Sequence, residues 1–234
     1  MTAPLPPEDM LAWLRSRRSV RAFTDRAVER GVLVRVLEAA ITAPSSTNRQ
    51  PWRFTVVRSA EVRRRLVAAV ADRTAEMKAI IARSHHAEDF GSYGDFFHEP
   101  LASAAAIVVP QYRPYPDLIA NLIESGGGDP RRFSTASAMQ AELCSTSAAI
   151  MALLLQAHAE GLGACMMAGP MVARDEIEAL LRIAPPWRMV GAIALGHPAG
   201  APAGPSRKPL DRVVDWIEDG IEDAIAIESG EETA

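Results

Sequence analysis

The sequence predicts a single α+β domain built around a small β-sheet. Short apolar strands alternate with longer helices along the 234 residues, but only about four strands are expected. No glycine occurs between Gly31 and Gly91, so the glycine-rich phosphate turn of a dinucleotide-binding fold cannot follow the first strand. These patterns disfavour a doubly wound nucleotide-binding sheet and favour a small sheet flanked by helices.

Composition is typical of a water-soluble globular protein, with 48% hydrophobic and 23% charged residues. The longest uncharged stretch near the centre of the chain, 143–157, is shorter than the roughly 20 residues that cross a bilayer. The N-terminus has neither the basic start nor the apolar run of a signal peptide. We therefore expect a cytoplasmic protein without a membrane partner.

The net charge of −4 is divided unevenly along the chain. Residues 1–65 hold 13 arginines and 6 acidic residues, whereas residues 211–234 hold 9 acidic residues and one arginine. A basic N-terminal part is typical of a protein with an anionic partner, such as a phosphate-bearing cofactor or nucleic acid, and also of an ordinary solvated face. Charge alone leaves these alternatives open.

Apolar residues at three- and four-residue steps predict helices over 7–17 and 28–43. One or two further helices are expected over about 60–81. Pro44 ends the second helix, and a polar loop follows over 45–51. A strand is predicted over 54–57.

In the second half, the dominant helix is predicted over 134–160, and its apolar residues on nearly every side predict burial almost all round. Gly161 is expected to cap it. The remaining elements are strands at 104–109, 164–167 and 188–195 and a helix at 175–181. The segments 82–101 and 112–133 have no regular pattern and are interpreted as insertions, the second of them mobile.

Four segments are candidates for ligand binding. The first carries Arg17, Arg18, Ser19 and Arg21, whose guanidinium groups could surround one phosphate or simply suit a helix C-terminus. The second is the loop between Pro44 and Pro51, whose amides and hydroxyls could meet the edge of a heteroaromatic ring or serve only as a connection.

The third segment, 161–170, follows the dominant helix with small residues that let backbone N–H groups approach a ligand, or that form only a cap and a core strand. The fourth is the pair Arg207 and Lys208, which by itself indicates little. Each segment alone is a weak signal.

Taken in order, the four segments resemble the nitroreductase-like family of FMN-dependent oxidoreductases over about residues 10–216. The matching motifs are Arg-Arg-Ser-x-Arg-x-Phe from Arg17, Pro-Ser-Ser-x-Asn-x-Gln-Pro-Trp from Pro44, Gly-Leu-Gly-x-Cys from Gly161 and Arg-Lys-Pro-Leu-Asp from Arg207. The resemblance implies a nitroreductase-like fold with a small, mostly antiparallel central sheet flanked by helices. It also implies an intertwined homodimer with a swapped C-terminal arm over 211–234 and lids at 82–101 and 112–133, within one domain spanning 1–234.

The resemblance further implies which residues bind the cofactor. The FMN phosphate and ribityl chain would be held by Arg17, Arg18, Ser19 and Arg21, joined by Arg207 and Lys208. The second subunit's loop would close over the flavin with Pro44, Ser45, Ser46, Asn48 and Gln50. The isoalloxazine ring would be lined by Met166, Met167, Ala168 and Gly169, with the Ala168 N–H donating to the reactive central-ring nitrogen.

The activity implied by the resemblance is hydride transfer from NADH or NADPH through FMN to an electron-poor small molecule such as a nitroaromatic, quinone or enone. No catalytic side chain is expected, because the flavin carries the chemistry. An alternative keeps FMN but makes the protein a dehydrogenase or oxidase that acts on a biosynthetic intermediate without NAD(P)H. A more distant alternative is a non-enzymatic nucleic-acid-binding module, which the acidic tail and the lack of a nucleic-acid motif disfavour.

Some positions refine these expectations. Ser19 stands where the flavin-cleaving subgroup of the family has an acidic residue, which argues against that activity. The Glu, Tyr and Lys lid of dehalogenating relatives has no match here. Aromatic residues of the first insertion, Tyr93, Phe96 and Phe97, are expected to line the substrate pocket together with His98. No metal site is expected, since no Cys or carboxylate completes a known spacing with His85, His86 and His98.

Overall fold

Seven helices and five strands are found in the residues that the computed structural model describes, which are 6–85, 94–135, 139–202, 204 and 206–217. Two compact units are distinguished, Met1–Pro202 and Ala203–Ala234. The helices are α1 (Pro7–Ser16), α2 (Arg30–Ala40), α3 (Ala60–Ile81), α4 (Glu99–Ser103), α5 (Leu118–Ser125), α6 (Ala141–Ala159) and α7 (Arg174–Leu181). The strands are β1 (Trp52–Val57), β2 (Ala106–Tyr112), β3 (Gly163–Met167), β4 (Arg188–Met189) and β5 (Ala192–Gly196).

The sheet is small and antiparallel, which confirms the predicted fold class. Its strands follow the order β1-β2-β5-β3, and the short β4 also pairs with β2. Each of these pairings is antiparallel. A parallel bridge between Ser19 and Ala164 joins the N-terminal segment to β3.

Alternating side chains of the central strands pack into two cores on opposite faces of the sheet. On one face Ile107 packs in a cluster with Leu66 of α3 and Ile177 of α7. On the other face Val108 packs in a cluster that includes Val36 of α2 and Leu153 of α6. The sheet is therefore a middle layer between two layers of helices.

Strand β2 extends three residues beyond the predicted end at Val109, through Pro110 to Tyr112. Proline lacks a backbone N–H, so it usually breaks a central strand. Here the Pro110 carbonyl accepts from the Val190 N–H at 3.0 Å, at the interruption between β4 and β5. Pro110, which has no N–H to donate, therefore lies opposite the interruption between β4 and β5.

The predicted strand over 188–195 is divided into β4 and β5 at Gly191. Gly191 has φ +156°, and a Cβ at this position would lie 2.5 Å from the Met167 carbonyl oxygen. The backbone of β3 therefore passes too close for any side chain at residue 191, and the chain kinks there.

The dominant helix is shorter and less buried than predicted. It begins at Ala141, after Gln140 adopts a left-handed φ of 52°, rather than at residue 134. Ala149, Leu153 and Ala157 are fully buried, whereas Met151 is 42% exposed. The expectation that this helix is buried almost all round is wrong for the single chain.

The predicted insertions contain regular structure where they are described. The segment 112–133 includes α5, whose N-terminus is capped by the Asp117 carboxylate accepting from the Ala120 N–H at 3.0 Å. The segment 82–101 includes the start of α4, and its residues 86–93, with Tyr93 and His86, lie outside the described residues.

The second unit is described at residues 204 and 206–217, and the rest of the predicted arm, 218–234, lies outside the described residues. It contains one 3-10 turn over Leu210–Arg212. Of its described apolar side chains, Val214 is half-buried and four are exposed, which are Leu210, Val213, Trp216 and Ile217.

Candidate functional site

The cavity that combines two of the four predicted segments lies where β3 ends. It has a volume of about 460 Å³, within the range of small-molecule sites. Its lining residues are Arg21, Met77, Phe96, Phe97, Cys165, Met166, Met167, Ala168, Gly169, Met171 and Val172. Arg21 from the arginine segment therefore shares one cavity with all four residues predicted to line the flavin ring.

Backbone pairing holds the arginine segment against β3. The Val20 N–H donates to the Ala164 carbonyl at 3.1 Å, beside the bridge between Ser19 and Ala164. A Cβ at Gly163 would lie 2.6 Å from the Val20 side chain, so only glycine lets the two segments come this close. The Gly-Leu-Gly motif thus positions the arginines.

The charges of the arginine segment are not neutralised locally. Among the described residues, Arg17, Arg18 and Arg21 have no carboxylate ion-pair partner. Many arginines elsewhere are paired, for example Arg35 with Glu160 at 2.7 Å. Three unpaired guanidinium groups suit an anionic ligand.

The groups that shift the pKa of the Cys165 thiol indicate which side chains of the arginine segment face the site. Burial raises the pKa of the Cys165 thiol, while the charge of Arg21, a hydrogen bond from Ser19 and the charge of Arg17 act in the opposite direction. Residues 17, 19 and 21 alternate along an extended segment, so they share one side of it. Both thiols, Cys144 and Cys165, are free, and Cys144 is exposed.

Arg17 and Arg18 line a different cavity, of about 430 Å³, together with His158. His158 shares a 2.8 Å hydrogen bond between its Nε2 atom and the Ser16 hydroxyl. Burial lowers the pKa of His158, and the positive charge of Arg17 lowers it further. The pKa of His158 is therefore sensitive to the charge of Arg17.

The predicted ring-lining residues form the end of β3 and the start of the turn that follows it. Met167 is buried, Met166 is half-buried and Ala168 is exposed, so the Ala168 backbone lies at the cavity surface. A Cβ at Gly169 would lie 2.3 Å from the Phe97 ring, which packs directly on this turn. Glycine is required here to admit the aromatic ring.

The loop after Pro44 is held in an unusual conformation. Thr47, Asn48 and Gln50 have φ angles of 50°, 54° and 47°, a left-handed region that non-glycine residues rarely adopt. The Ser45 hydroxyl accepts from the Gln50 N–H at 3.0 Å and closes the loop. Such strain of about 1–2 kcal/mol per residue is often found at functional sites.

This loop is anchored to the start of α6, away from the arginine segment of its own chain. The Ser46 N–H donates to the Ser145 hydroxyl at 3.2 Å, and Arg49 forms a 3.0 Å ion pair with Glu142. The described lining of the 460 Å³ cavity includes none of the loop residues predicted to bind the cofactor, which are Pro44, Ser45, Ser46, Asn48 and Gln50. The side chain of Gln50 is exposed.

Arg207 and Lys208 belong to the unit Ala203–Ala234. Both side chains are exposed, and they precede the turn over Leu210–Arg212. Their predicted role beside the arginine segment stays a prediction.

The sequence did not single out three residues of the cavity, Met77, Met171 and Val172. Met77 continues the α3 stripe of Val70 and Thr74 at helical spacing, which is a detectable signal. Met171 and Val172 follow the turn after β3 and have no comparable pattern. Of the insertion aromatics, Phe96 and Phe97 line the cavity as predicted, and His98 is not in its lining.

Within the described residues, no group of three or more His, Cys, Asp or Glu side chains is arranged to hold a metal ion. A search of the same residues finds no helix that is both long enough and apolar enough to span a bilayer.

Two curated relatives have the names of oxidoreductases. A Thermus thermophilus NADH dehydrogenase is 30% identical over 85% of this chain and 91% of that protein. An iodotyrosine deiodinase from Haliscomenobacter hydrossis is 27% identical over 50% of this chain, and the match spans only 56% of the deiodinase.

Solved structures share the fold. A BluB-like flavoprotein from Clostridium difficile has a TM-score of 0.79 at 23% identity, over 89% of this chain and 99% of that one. A nitroreductase-type protein from Desulfovibrio desulfuricans, in complex with FMN, has a TM-score of 0.60 at 25% identity, over 90% and 96% of the two chains. The model of the Nitroreductase family matches residues 14–197. The resemblance drawn from the four motifs is therefore confirmed, and the chain belongs to the Nitroreductase family.

Proposed function

We propose that the protein is an FMN-dependent NAD(P)H oxidoreductase that reduces an electron-poor small molecule such as a nitroaromatic, quinone or enone. One observation carries the proposal: the hydrogen-bonded contact with β3 places Arg21 in the same cavity as Met166, Met167, Ala168 and Gly169. A cationic side chain and an apolar floor in one cavity support the binding of a flavin nucleotide there.

The residues in the cavity, with Arg17 and Ser19 beside Arg21 in the sequence, fit FMN by their chemistry. Unpaired guanidinium groups of Arg17 and Arg21, with the Ser19 hydroxyl between them, can donate to a phosphate. The thioethers of Met166 and Met167 form an apolar floor that suits a flat ring. The Ala168 N–H stabilises negative charge on a ring nitrogen if it donates there. When bound, FMN supplies the hydride transfer, which no side chain of this family's motifs performs.

Arg18 is given a different role from Arg17 in this proposal. Both arginines line the 430 Å³ cavity near His158. Of the three arginines, however, Arg21 and Arg17 are the ones whose charge acts on the Cys165 thiol in the 460 Å³ cavity, as expected if alternate side chains of the extended segment share one side. We therefore propose that Arg18 contributes to the positive field around the phosphate rather than to its direct ligation.

We further propose that the site is completed by a second copy of the chain. The strained loop with Asn48 and Gln50 presents exposed polar side chains away from its own arginine segment. Met151 on α6 and the apolar residues Val213, Trp216 and Ile217 of the second unit are exposed in the single chain. A homodimer with α6 at its core and the 211–234 arm on the partner would cover these surfaces.

A purified sample tests the proposal through its visible spectrum and its reduction. We expect flavin absorption bands that bleach on anaerobic stopped-flow mixing with NADH or NADPH and return when an acceptor is added. Bands that persist with both nucleotides would favour a dehydrogenase or oxidase acting without NAD(P)H. A colourless protein that takes up no added FMN would reject a flavin enzyme altogether.

A further inference from the structure

Phe97 joins the segment 82–101 to the turn that follows β3. Only 7% of this residue is exposed, and it lines the 460 Å³ cavity of the proposed flavin site. A Cβ at Gly169 would lie 2.3 Å from the Cδ1 atom of the Phe97 ring and 2.5 Å from its Cγ atom. The ring therefore packs on the backbone of residue 169, which directly follows Ala168.

The glycine at position 169 is required for space and not for its backbone conformation. The described glycines with a positive φ are Gly94, Gly127, Gly161 and Gly191, so the backbone of Gly169 is one that alanine can also adopt. What excludes a larger residue is the approach of the Phe97 ring. The contact between the ring and this turn is therefore a specific close fit.

Phe97 is itself fixed on α3. Its N–H donates to the Gly94 carbonyl at 2.9 Å and closes the 3-10 turn over Asp95–Phe97. A Cβ at Gly94 would lie 3.0 Å from the Thr74 side chain and 3.1 Å from that of Met77, both on α3. The turn that carries Phe97 thus lies directly on α3, which holds the ring against residue 169.

The peptide unit between Met167 and Ala168 is confined from both directions. On one side Gly191 lies so close that a Cβ there would be 2.5 Å from the Met167 carbonyl oxygen. Because a trans peptide unit is planar, the Ala168 N–H points away from that oxygen. On the other side Phe97 fixes the next residue, Gly169. Together these two contacts set the direction of the Ala168 N–H.

We propose that Phe97 is a positioning residue for the flavin, which acts by holding the Ala168 N–H in line with the ring nitrogen. This inference rests on the proposed function and adds a residue that tunes the same site. A hydrogen bond weakens steeply when its donor turns away from the acceptor. The Ala168 N–H interacts more strongly with the electron-rich reduced flavin than with the oxidised ring. Loss of the Phe97 ring therefore weakens the binding of reduced FMN more than that of oxidised FMN.

The midpoint potential of the bound flavin tests this inference without turnover. Phe97→Leu keeps an apolar side chain but removes the ring. Equilibrium reduction against a reference dye should show that the affinity for reduced FMN, relative to oxidised FMN, falls by up to about tenfold, the upper range of one hydrogen bond. That change lowers a two-electron midpoint potential by up to about 30 mV. A residue that only fills space would weaken both affinities by the same factor and leave the potential unchanged.

Leu66→Ala is the matched control. Leu66 is fully buried in the same apolar cluster as Phe97 but does not line the cavity. Its truncation should lower the urea midpoint of the flavin-free protein and keep the wild-type midpoint potential of the bound flavin.

A second pair of variants tests the contact itself. Gly169→Ala should weaken FMN binding because its methyl group clashes with the Phe97 ring. In the Phe97→Ala background the nearest remaining atom of residue 97 would be its Cβ, at 3.0 Å, so the same Gly169→Ala change should cost much less FMN affinity. Fluorescence titration of the four proteins with FMN completes this double-mutant cycle.

An unchanged or raised midpoint potential in Phe97→Leu would overturn the inference, as would an equal shift in Leu66→Ala. Equal costs of Gly169→Ala with and without the Phe97 ring would overturn it as well. If the wild-type protein binds FMN and is bleached by NAD(P)H, these results reject only the role of Phe97. If the wild-type protein takes up no FMN, the proposed function fails and this inference fails with it.

Discussion

The side chain of Val20 occupies the space that any Cβ at Gly163 would need, since that atom would lie 2.6 Å from it. This contact presses the arginine segment onto β3, next to the hydrogen bond between Val20 and Ala164. The glycine is therefore part of the proposed phosphate site, although it touches no ligand.

Gly163→Ala should displace the arginine segment. We expect a loss of about 1–3 kcal/mol of unfolding free energy from overpacking, together with weaker FMN binding. Urea denaturation and fluorescence titration with FMN measure the two effects. Gly31→Ala is the control, because a Cβ there meets only the end of Arg35 at 3.9 Å. Unchanged FMN affinity in Gly163→Ala would argue against this role of the glycine.

Arg21→Ala and Arg18→Ala separate direct ligation from a general positive field. Arg21 lines the proposed flavin cavity, so its loss should weaken FMN binding by about 1.5–3 kcal/mol, or roughly 10- to 150-fold. Arg18 does not line this cavity, and the alternation proposed for the segment directs it to the other side, so its loss should weaken FMN binding less. Titration of each flavin-free variant with FMN gives the comparison. An equal or larger loss in Arg18→Ala would reverse the proposed assignment.

The pKa of His158 should change when the phosphate binds. Its pKa is lowered by burial and by the positive charge of Arg17. An anion bound to Arg17 offsets that charge, so the pKa of His158 should rise when FMN binds. NMR titration of the His158 ring protons, with and without FMN, measures the change. A pKa of His158 that is the same with and without FMN would place the phosphate elsewhere.

The ion pair between Arg35 and Glu160 predicts acid sensitivity. Arg35 binds Glu160 through two 2.7 Å hydrogen bonds and lowers the pKa of this carboxyl from 4.5 to about 2. A depressed pKa in the folded state supplies stability that is present above the unfolded value and lost as the pH falls toward 2. Glu160→Gln should therefore lower the urea midpoint at pH 7 and should match the wild type near pH 2.

The control for this experiment is Glu61→Gln, which removes an exposed ion pair with Arg64. Its urea midpoint at pH 7 should stay close to that of the wild type, since exposed pairs contribute little. If the urea midpoints of Glu160→Gln and the wild type differed by the same amount at pH 7 and near pH 2, the substitution would have removed packing rather than charge.

Met151→Lys should weaken the proposed dimer. Met151 is the exposed apolar residue of α6, and a buried lysine at a dimer core carries a large desolvation cost. Analytical ultracentrifugation across a range of concentrations should show dissociation at least tenfold more readily than in the wild type. Ile80→Lys on α3 is the control. A dimer of unchanged stability would exclude α6 from the interface.

Local patterns were sufficient to predict much of the fold. The helical range over about 60–81 was predicted correctly, and the structure has one helix there, α3, whose start is capped by the Ser59 hydroxyl accepting from the Val62 N–H. The start of α6 was predicted too early, at residue 134. The left-handed φ of Gln140, which precedes the helix, cannot be predicted from the amino acids around it. The extension of β2 through Pro110 depends on the gap between β4 and β5, which is a tertiary feature.

The candidate site was predictable only in part for the same reason. The motifs name Arg21 and the residues after β3, but the contact that unites them depends on the space left by Gly163. Phe97 of the segment 82–101 packs on Gly169, which is far away in the sequence. No local pattern indicates such a contact.

The central claim is that unpaired guanidinium groups beside β3 hold the phosphate of a flavin nucleotide. Titrating the flavin-free protein with FMN and with riboflavin, which lacks only the phosphate, tests it most directly. Loss of at least two charged hydrogen bonds predicts FMN binding at least a hundredfold tighter, or roughly 3 kcal/mol, and the difference should nearly vanish in Arg17→Ala combined with Arg21→Ala. Equal affinity of the wild-type protein for the two flavins would contradict the account.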